Sequence, residues 1–344
     1  MPNSRARVSL QKTINDVALR AGVSISTVSR VLNQSAPVSP ELEEKVRQVI
    51  ADMDYRPQTA ARTLAGRKTF TIGLVLAKIG TDYYPLMIDS IEAEARRNDY
   101  NLLISVAGEN LSEQDEMPCA LGPHNTDGLL VFPDSLSRNE IIHLHQNNFP
   151  VVLVQHSPPD DLNLPYINIE NQISSRNIVD HLIEVHGLKR IAFLAGLTEH
   201  EDAALREQGY LDSLKSHNIA FDPDLRSLGY FQKKESQEAV NDWLARGIEF
   251  DAIFASDDIS AIGALSALNQ AGLRVPEDVA VVGFDDVEIS RYLSPPLTTV
   301  SIPIQEVGLT AITELLKLIQ TGTAEPFIEL KTELVIRRSC GCSY

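Results

Sequence analysis

From residue 70 onward the sequence alternates short β-branched apolar runs with longer amphipathic stretches, and this alternation constrains the fold more than any other feature. The runs cover residues 70–76, 101–106, 128–132, 151–154, 166–169, 190–194, 252–255 and 279–284. The amphipathic stretches cover 86–98, 138–147, 172–186, 202–217, 235–246, 258–271 and 304–320. Continuous apolar runs between helices mark strands buried on both faces of a parallel sheet. About ten strands are more than one such sheet usually needs, so two doubly wound lobes are expected, with a ligand crevice at the carboxyl ends of their strands.

Residues 1–69 follow a different rule. Thr13 precedes Asp16 by three positions, the spacing of a capping box, and opens a helix with Ile14, Val17, Ala18 and Ala21 on one face. Gly22 stops it, and Ser24 can cap a second helix carrying Val28, Val31 and Leu32. Ser39 and Pro40 start a third, with Leu42, Val46, Val49, Ile50 and Met53 as its stripe. Two short helices joined by a Gly-containing turn predict a helix-turn-helix. The outward positions of the second helix are Ile25, Ser26, Thr27, Ser29 and Arg30, where a solvent face would carry Lys and Glu. Small hydroxyls reach phosphates, an Ile can touch a thymine methyl, and an Arg can bond guanine in bidentate fashion.

Charge follows the same division. The whole chain of 344 residues has 30 Lys+Arg against 47 Asp+Glu, a net charge of −17, which argues against nucleic acid as a partner. Yet residues 1–69 carry 11 basic and 6 acidic side chains, and the acidic excess lies entirely beyond them. A basic module joined to an acidic body keeps DNA attraction at one end.

The segment Thr13-Ile-Asn-Asp-Val-Ala-Leu-Arg-Ala-Gly-Val-Ser-Ile-Ser-Thr-Val-Ser-Arg-Val-Leu-Asn33 resembles the headpiece of the lactose/galactose repressor (LacI) family almost residue for residue. Tyr55-Arg-Pro57-Gln-Thr-Ala-Ala-Arg-Thr-Leu64-Ala-Gly66-Arg67 resembles that family's hinge helix, and Leu334-Val-Ile-Arg-Arg-Ser-Cys340-Gly341 its C-terminus, so the likeness spans nearly the whole chain. The resemblance implies an all-α helix-turn-helix headpiece at 1–56, a hinge at 57–69, and a periplasmic-binding-protein-like core at 70–344. Within that core the first lobe takes about 70–168 and 301–326, and the second about 169–300 and 327–344. It also implies that Ile25, Ser26 and Arg30 read operator bases, while Thr13, Ser24, Thr27, Ser29 and Asn33 meet phosphates or base edges. Two hinge segments of a homodimer, with Ala61 and Leu64 in each, would pack over the minor groove of double-stranded operator DNA and wedge Leu64 into a base step. Two prolines and a glycine in residues 117–123 interrupt what is usually a continuous helix in the family, so a shortened helix is expected there.

Polar and aromatic residues just after the strands are the candidates for the crevice: Tyr83, Tyr84, Phe132, Gln155, His156, His200, Glu201, Asp202, Arg206, Phe231, Ser256, Asp257 and Asp285. By the resemblance, Arg206 and Asp285 fall where the family grips its effector. Arg offers five donors in a rigid fork and Asp two acceptor oxygens, so the pair suits adjacent hydroxyls, while Tyr83 or Phe231 would cover an apolar sugar face. The expected effector is a small neutral sugar and the expected role repression of sugar-utilisation genes, with a purine or nucleoside effector as the alternative.

Other classes fit less well. No run of about 18 apolar residues and no hydrophobic signal core is present, which points to a cytoplasmic protein without a membrane partner. Neither His-Glu-x-x-His, Gly-x-Ser-x-Gly nor a phosphate-binding Gly-rich loop occurs, so no enzyme and no cofactor is expected. A soluble binding protein without a regulatory role leaves residues 13–67 unexplained. Cys340-Gly-Cys342 resembles half of a metal site, but no second pair is visible in the sequence. These two and Cys119 are therefore read as plain cysteines, and no metal is expected.

Overall fold

The structure is a computed structural model that describes residues 12–33, 36–55, 68–79, 84–107, 119–159, 162–197 and 200–343. The chain divides into two compact units, residues 1–69 and 70–344.

In the first unit, α1 (Ile14–Ala21) begins with the expected capping box, Thr13 and Asp16 each satisfying the other's backbone N–H, and ends at Gly22 in the left-handed conformation. The second helix, α2 (Ile25–Asn33), follows with the Ser24 hydroxyl accepting from the Thr27 N–H, and α3 (Pro40–Asp52) starts at Pro40. Val17, Ala18, Ala21, Val28, Val31, Val46 and Met53 close one small core, with Tyr55 sealing its end. Leu42 departs from its predicted place. It sits in the first turn of α3 and remains exposed, while Val38 in the lead-in segment packs on the core.

The second unit begins with β1 (Thr71–Leu76), α4 (Tyr84–Arg97), β2 (Asn101–Val106), β3 (Gly128–Val131), α5 (Arg138–Gln146), β4 (Val151–Val154) and β5 (Tyr166–Ile169). It continues through α6 (Asn171–His186), β6 (Ile191–Ala195), α7 (Glu201–Ser216), β7 (Arg226–Leu228), α8 (Lys233–Ala245), β8 (Ala252–Ala255) and α9 (Asp258–Gln270). It ends with β9 (Ala280–Val282), β10 (Thr299–Ser301), α10 (Ile304–Thr321), β11 (Phe327–Leu330) and β12 (Glu333–Val335). Two parallel sheets result, with orders β11-β5-β4-β3-β1-β2 and β7-β6-β8-β9, and β10 pairs antiparallel with β12 where the chain passes between lobes. The strands β3, β4, β6, β8 and β9 are buried along their whole length, as continuous apolar runs require.

Two elements depart from the sequence expectation for simple reasons. Although as apolar as its neighbours, β2 is an edge strand and leaves Leu103, Ile104 and Val106 exposed. Residues 327–330, expected in the second lobe, instead form β11 on the first lobe's sheet. They pair in parallel with β5, and the Phe327 ring stacks on Tyr166 at 4.6 Å between centroids. The segment expected to hold a shortened helix lies largely outside the described residues, and residues 119–127 form turns. The chain therefore crosses between lobes three times: from β5 into α6, from β9 through β10 into α10, and from β11 into β12. Among the described residues, no helix is long and apolar enough to cross a membrane.

Candidate functional site

The recognition surface of the headpiece starts from α2. Ser24, Ile25, Ser26 and Arg30 are exposed on it, Thr27 and Ser29 are partly so, and Val28 and Val31 point into the core. Ile25 is an apolar side chain held half in solvent at 49% exposure, which a base methyl would cover. The three hydroxyls at the helix start already form a cluster, with Ser24 Oγ 2.7 Å from Ser26 Oγ and 2.8 Å from Thr27 Oγ1. Thr13 is exposed beside Asp16, so any phosphate it meets shares its hydroxyl with the α1 cap. The Asn33 side chain, together with Ala61 and Leu64 of the predicted hinge, lies outside the described residues.

In the two-lobed unit, the crevice candidates among the described residues, Phe132 apart, gather at the carboxyl ends of the strands. Arg206, on α7, is the only buried cationic side chain among the described residues. Its Nε donates to Asn171 Oδ1 at 2.9 Å, its Nη1 donates to the Ser256 carbonyl at 2.7 Å, and its guanidinium lies 3.8 Å over the Phe284 ring. Nη1 also stands 3.1 Å from Asp285 Oδ1, close enough for an ion pair but off the line of a hydrogen bond, so that this buried oxygen has no well-directed donor among the described residues. Asn171 Nδ2 donates to Asp202 Oδ1 at 2.8 Å, which joins Asp202 to the same network.

Burial raises the Asp285 carboxyl to about 7, against the pull of Arg206, and raises Asp202 to about 6 for the same reason. Asp257, the N-cap of α9, and Asp258 are also raised by burial. Asp258 is held by Val287 N–H, Ser290 Oγ and Thr299 Oγ1. One buried guanidinium among four carboxyl groups disfavours an anionic ligand and leaves acceptors to spare.

Backbone conformation at the rim is unusual. Asp285 and Asp286 have φ of 107° and 54°, and Tyr230 and Phe231 have 55° and 57°. Non-glycine residues rarely hold positive φ, and such strain of order 1–3 kcal/mol per residue gathers at ligand clamps. Asp286 is fixed by Arg337 Nη2 at 2.6 Å, while Arg337 Nη1 holds the Leu297 carbonyl at 2.8 Å, so the C-terminal segment braces the turn that presents Asp285. The Phe231 ring lies over Gly196, where a Cβ would come within 2.1 Å of it, so only glycine admits this ring. His200 stands beside it, ring centroids 5.8 Å apart.

The first lobe supplies the opposite wall. Tyr84, at the start of α4, is raised to about 12 by burial and then by Asp285, Asp134 and Asp202, which places its hydroxyl in the field of all three carboxylates. Phe132 is fully buried in the core with the Tyr84 ring edge-on against it at 6.0 Å, so it supports the wall from behind. Gln155 is buried at the end of β4 with φ of 61°, and burial lowers His156, whose Nε2 lies 3.2 Å from the Val131 carbonyl. Ser256 is buried, and among the described residues its hydroxyl has no hydrogen-bond partner. Tyr83 lies outside the described residues.

Three contributors, Asn171, Asp134 and Phe284, were not among the residues that the sequence singled out. Asn171 and Asp134 each follow a strand, so the rule that selected the other candidates could have found them. Asp134 contacts His200 across the cleft and is lowered by that hydrogen bond. Glu201, one of the sequence candidates, accepts from Ser157 N–H at 2.6 Å and from Ser157 Oγ at 2.7 Å, again from lobe to lobe. Phe284, one residue before Asp285, had no polar signature to mark it.

A helix-turn-helix unit followed by a two-lobed α/β unit with a polar crevice defines a DNA-binding regulator with a small-molecule site. Comparison with known proteins agrees. Residues 13–58 match the model of bacterial regulatory proteins of the lacI family, and residues 179–340 match that of the periplasmic binding protein-like domain. The chain is 33% identical over 329 residues to the HTH-type transcriptional repressor PurR of Histophilus somni (strain 129Pt), covering 95% of this chain and 98% of that one. Among solved structures it is similar to the lac repressor dimer bound to operator and the anti-inducer ONPF, with TM-score 0.80, 28% identity and coverage of 96% and 99%. It is also similar to a complex of the transcriptional regulator CelR with cellobiose, with TM-score 0.72, 30% identity and coverage of 95% and 99%. The chain belongs to the lacI family of bacterial regulatory proteins, and it is a DNA-binding transcriptional repressor.

Proposed function

We propose that the cleft binds a neutral polyhydroxylated effector of the sugar class, and that this occupancy sets the affinity of a homodimer for a pseudo-palindromic operator. The observation that carries the ligand class is the Asp285 oxygen, buried beside Arg206 without a well-directed donor among the described residues. A buried acceptor in that condition calls for a donor, and a ligand hydroxyl supplies one. Phe231 and Tyr84 offer apolar faces on either side, and the cellobiose held by CelR is a ligand of this kind. The protein acts by binding rather than catalysis, in the cytoplasm, and no cofactor enters the scheme.

Dimerisation is supported by apolar side chains left at the surface of both lobes: Leu103, Ile104 and Val106 on the edge strand β2, and Ile289 and Tyr292 in the turn of residues Glu288–Tyr292. Each α2 would read one half-site, and two hinge segments would meet at the operator centre. Thermal-shift screening of the full chain against neutral sugars, sugar acids and nucleobases tests the ligand class. A neutral sugar that raises the melting temperature of wild type but not of Asp285→Ala supports it, whereas a nucleobase hit overturns it.

A further inference from the structure

The fold brings together two pairs of side chains more than 150 residues apart. His181 and His186 occupy the last turns of α6, and Cys340 and Cys342 belong to the C-terminal segment that lies against them. One ligand atom from each of the four, two imidazole nitrogens and two sulfurs, falls within a group whose members are all within 4.8 Å of one another. Cys342 Sγ lies 3.5 Å from His186 Nε2 and 3.8 Å from His181 Nε2, and the two imidazole rings stand edge to face at 5.0 Å. With Zn–S of about 2.3 Å and Zn–N of about 2.0 Å, a tetrahedral zinc ion sets its ligand atoms roughly 3.3–3.8 Å apart.

From these four side chains we infer that the protein holds a zinc-class divalent cation between α6 and its C-terminal segment, in a Cys2His2 tetrahedron. The donor set is complete, with four ligands and two of them sulfur, which is the make-up of a closed structural site rather than a catalytic one. Charge balances within it. Both thiols release their protons to solvent as the ion binds, and two thiolates with two neutral imidazoles leave the partly buried site without net charge.

The surroundings hold the ligands in place. Gly341, between the cysteines, has φ of 109°, and a Cβ there would come within 3.2 Å of His186 Nδ1, so glycine alone permits so tight a Cys-Gly-Cys turn against the imidazole. Ser339 anchors the approach, its hydroxyl donating to the Val281 carbonyl at 2.6 Å and accepting from Thr298 N–H at 2.8 Å. Thr298 Oγ1 stands 2.9 Å from the Arg337 carbonyl and 3.2 Å from Cys340 Sγ, so its single O–H can turn from the carbonyl to a metal-bound thiolate. The ion fastens the C-terminal segment, which braces the Asp285 turn through Arg337, to the helix whose first residue is Asn171 of the cleft.

The test uses the full chain, thiol-reduced and stripped of metal with a chelator, then equilibrated with Zn(II) or Co(II) and desalted. One equivalent of zinc per chain is expected, with zinc-dependent thermal stabilisation. The cobalt form should show the intense visible bands of a tetrahedral ion and a thiolate-to-cobalt charge-transfer band. Cys342→Ser and His186→Gln should each weaken metal retention at least tenfold, while Cys119→Ser leaves it unchanged. Substoichiometric zinc, or a weak octahedral cobalt spectrum lacking thiolate charge transfer in wild type, overturns the proposal whether or not the variants fold. Full retention by the Cys342→Ser/His186→Gln double variant overturns it too.

Discussion

Arg206 Nη1 and Asp285 Oδ1 stand 3.1 Å apart in the second lobe, both largely shielded from solvent, and the aspartate reaches that position only through a backbone φ of 107°. The pair is one edge of a network in which the same guanidinium holds Asn171 and the Ser256 carbonyl. Lysine cannot span three such partners, because its ammonium is a point charge without the planar fork. Arg206→Lys should therefore weaken effector binding by about 10- to 100-fold, the equivalent of about 1.5–3 kcal/mol for charge-assisted hydrogen bonds. Arg206→Ala should in addition lower stability by about 3 kcal/mol, because it leaves buried partners uncompensated. Calorimetric titration and urea denaturation measure the two effects, and unchanged affinity in Arg206→Lys would contradict this role.

Stability should depend on pH in a direction opposite to that of an ordinary salt-bridged carboxylate. Asp285 and Asp202 are raised from 3.8 to about 7 and about 6, so between these values the native state binds more protons than the unfolded chain. Their contribution is fully present below about pH 4 and is lost as pH rises through 6 and then 7. Asp285→Asn should flatten that fall without abolishing it, since Asp202 and Asp258 titrate as well. Parallel pH profiles for wild type and variant in chemical denaturation would contradict the assignment.

On the headpiece, Arg30→Ala should reduce affinity for the cognate operator by about 1–3 kcal/mol while leaving binding to unrelated duplexes nearly unchanged. Competition binding at fixed salt separates the two. Equal losses on both duplexes would mean that Arg30 meets only phosphate.

The exposed apolar side chains at β2 and at Tyr292 make a prediction about assembly. Ile104→Asp and Tyr292→Ala should shift the sedimentation profile from dimer toward monomer and, by removing the second half-site contact, weaken operator binding by about 100-fold or more. Variants that sediment as wild type would place the dimer contact elsewhere.

Much of the fold was legible in the chain because strands buried on both faces cannot hide their apolar runs: β1, β3, β4, β5, β6, β8 and β9 all fall where such runs occur. The strands β7, β10 and β12 mix polar with apolar residues in three positions each, so no continuous apolar run marks them. β11 was placed in the wrong lobe because its pairing with β5 joins residues about 160 apart, a contact that no local signal records. In the cleft, position after a strand selected Arg206's partners Ser256 and Asp285 correctly as neighbours, yet it passed over Asn171, which links Asp202 to Arg206. The Cys-Gly-Cys turn was visible but its histidines were not, since His181 and His186 look like ordinary residues of an amphipathic helix until the tail folds against them.

On the function proposed above, cleft occupancy and operator affinity are coupled. Coupling of two binding equilibria is reciprocal: if an effector changes the operator Kd by some factor, the operator must change the effector Kd by the same factor. Fluorescence anisotropy of a labelled operator, titrated with the full chain with and without the sugar found by thermal shift, gives the first factor. Titration of the sugar into free and operator-bound protein gives the second. Two equal factors of about five or more in wild type, both collapsing to one in Asp285→Ala, are the predicted result. An operator Kd that is the same with and without the bound sugar would mean that the cleft does not regulate DNA binding.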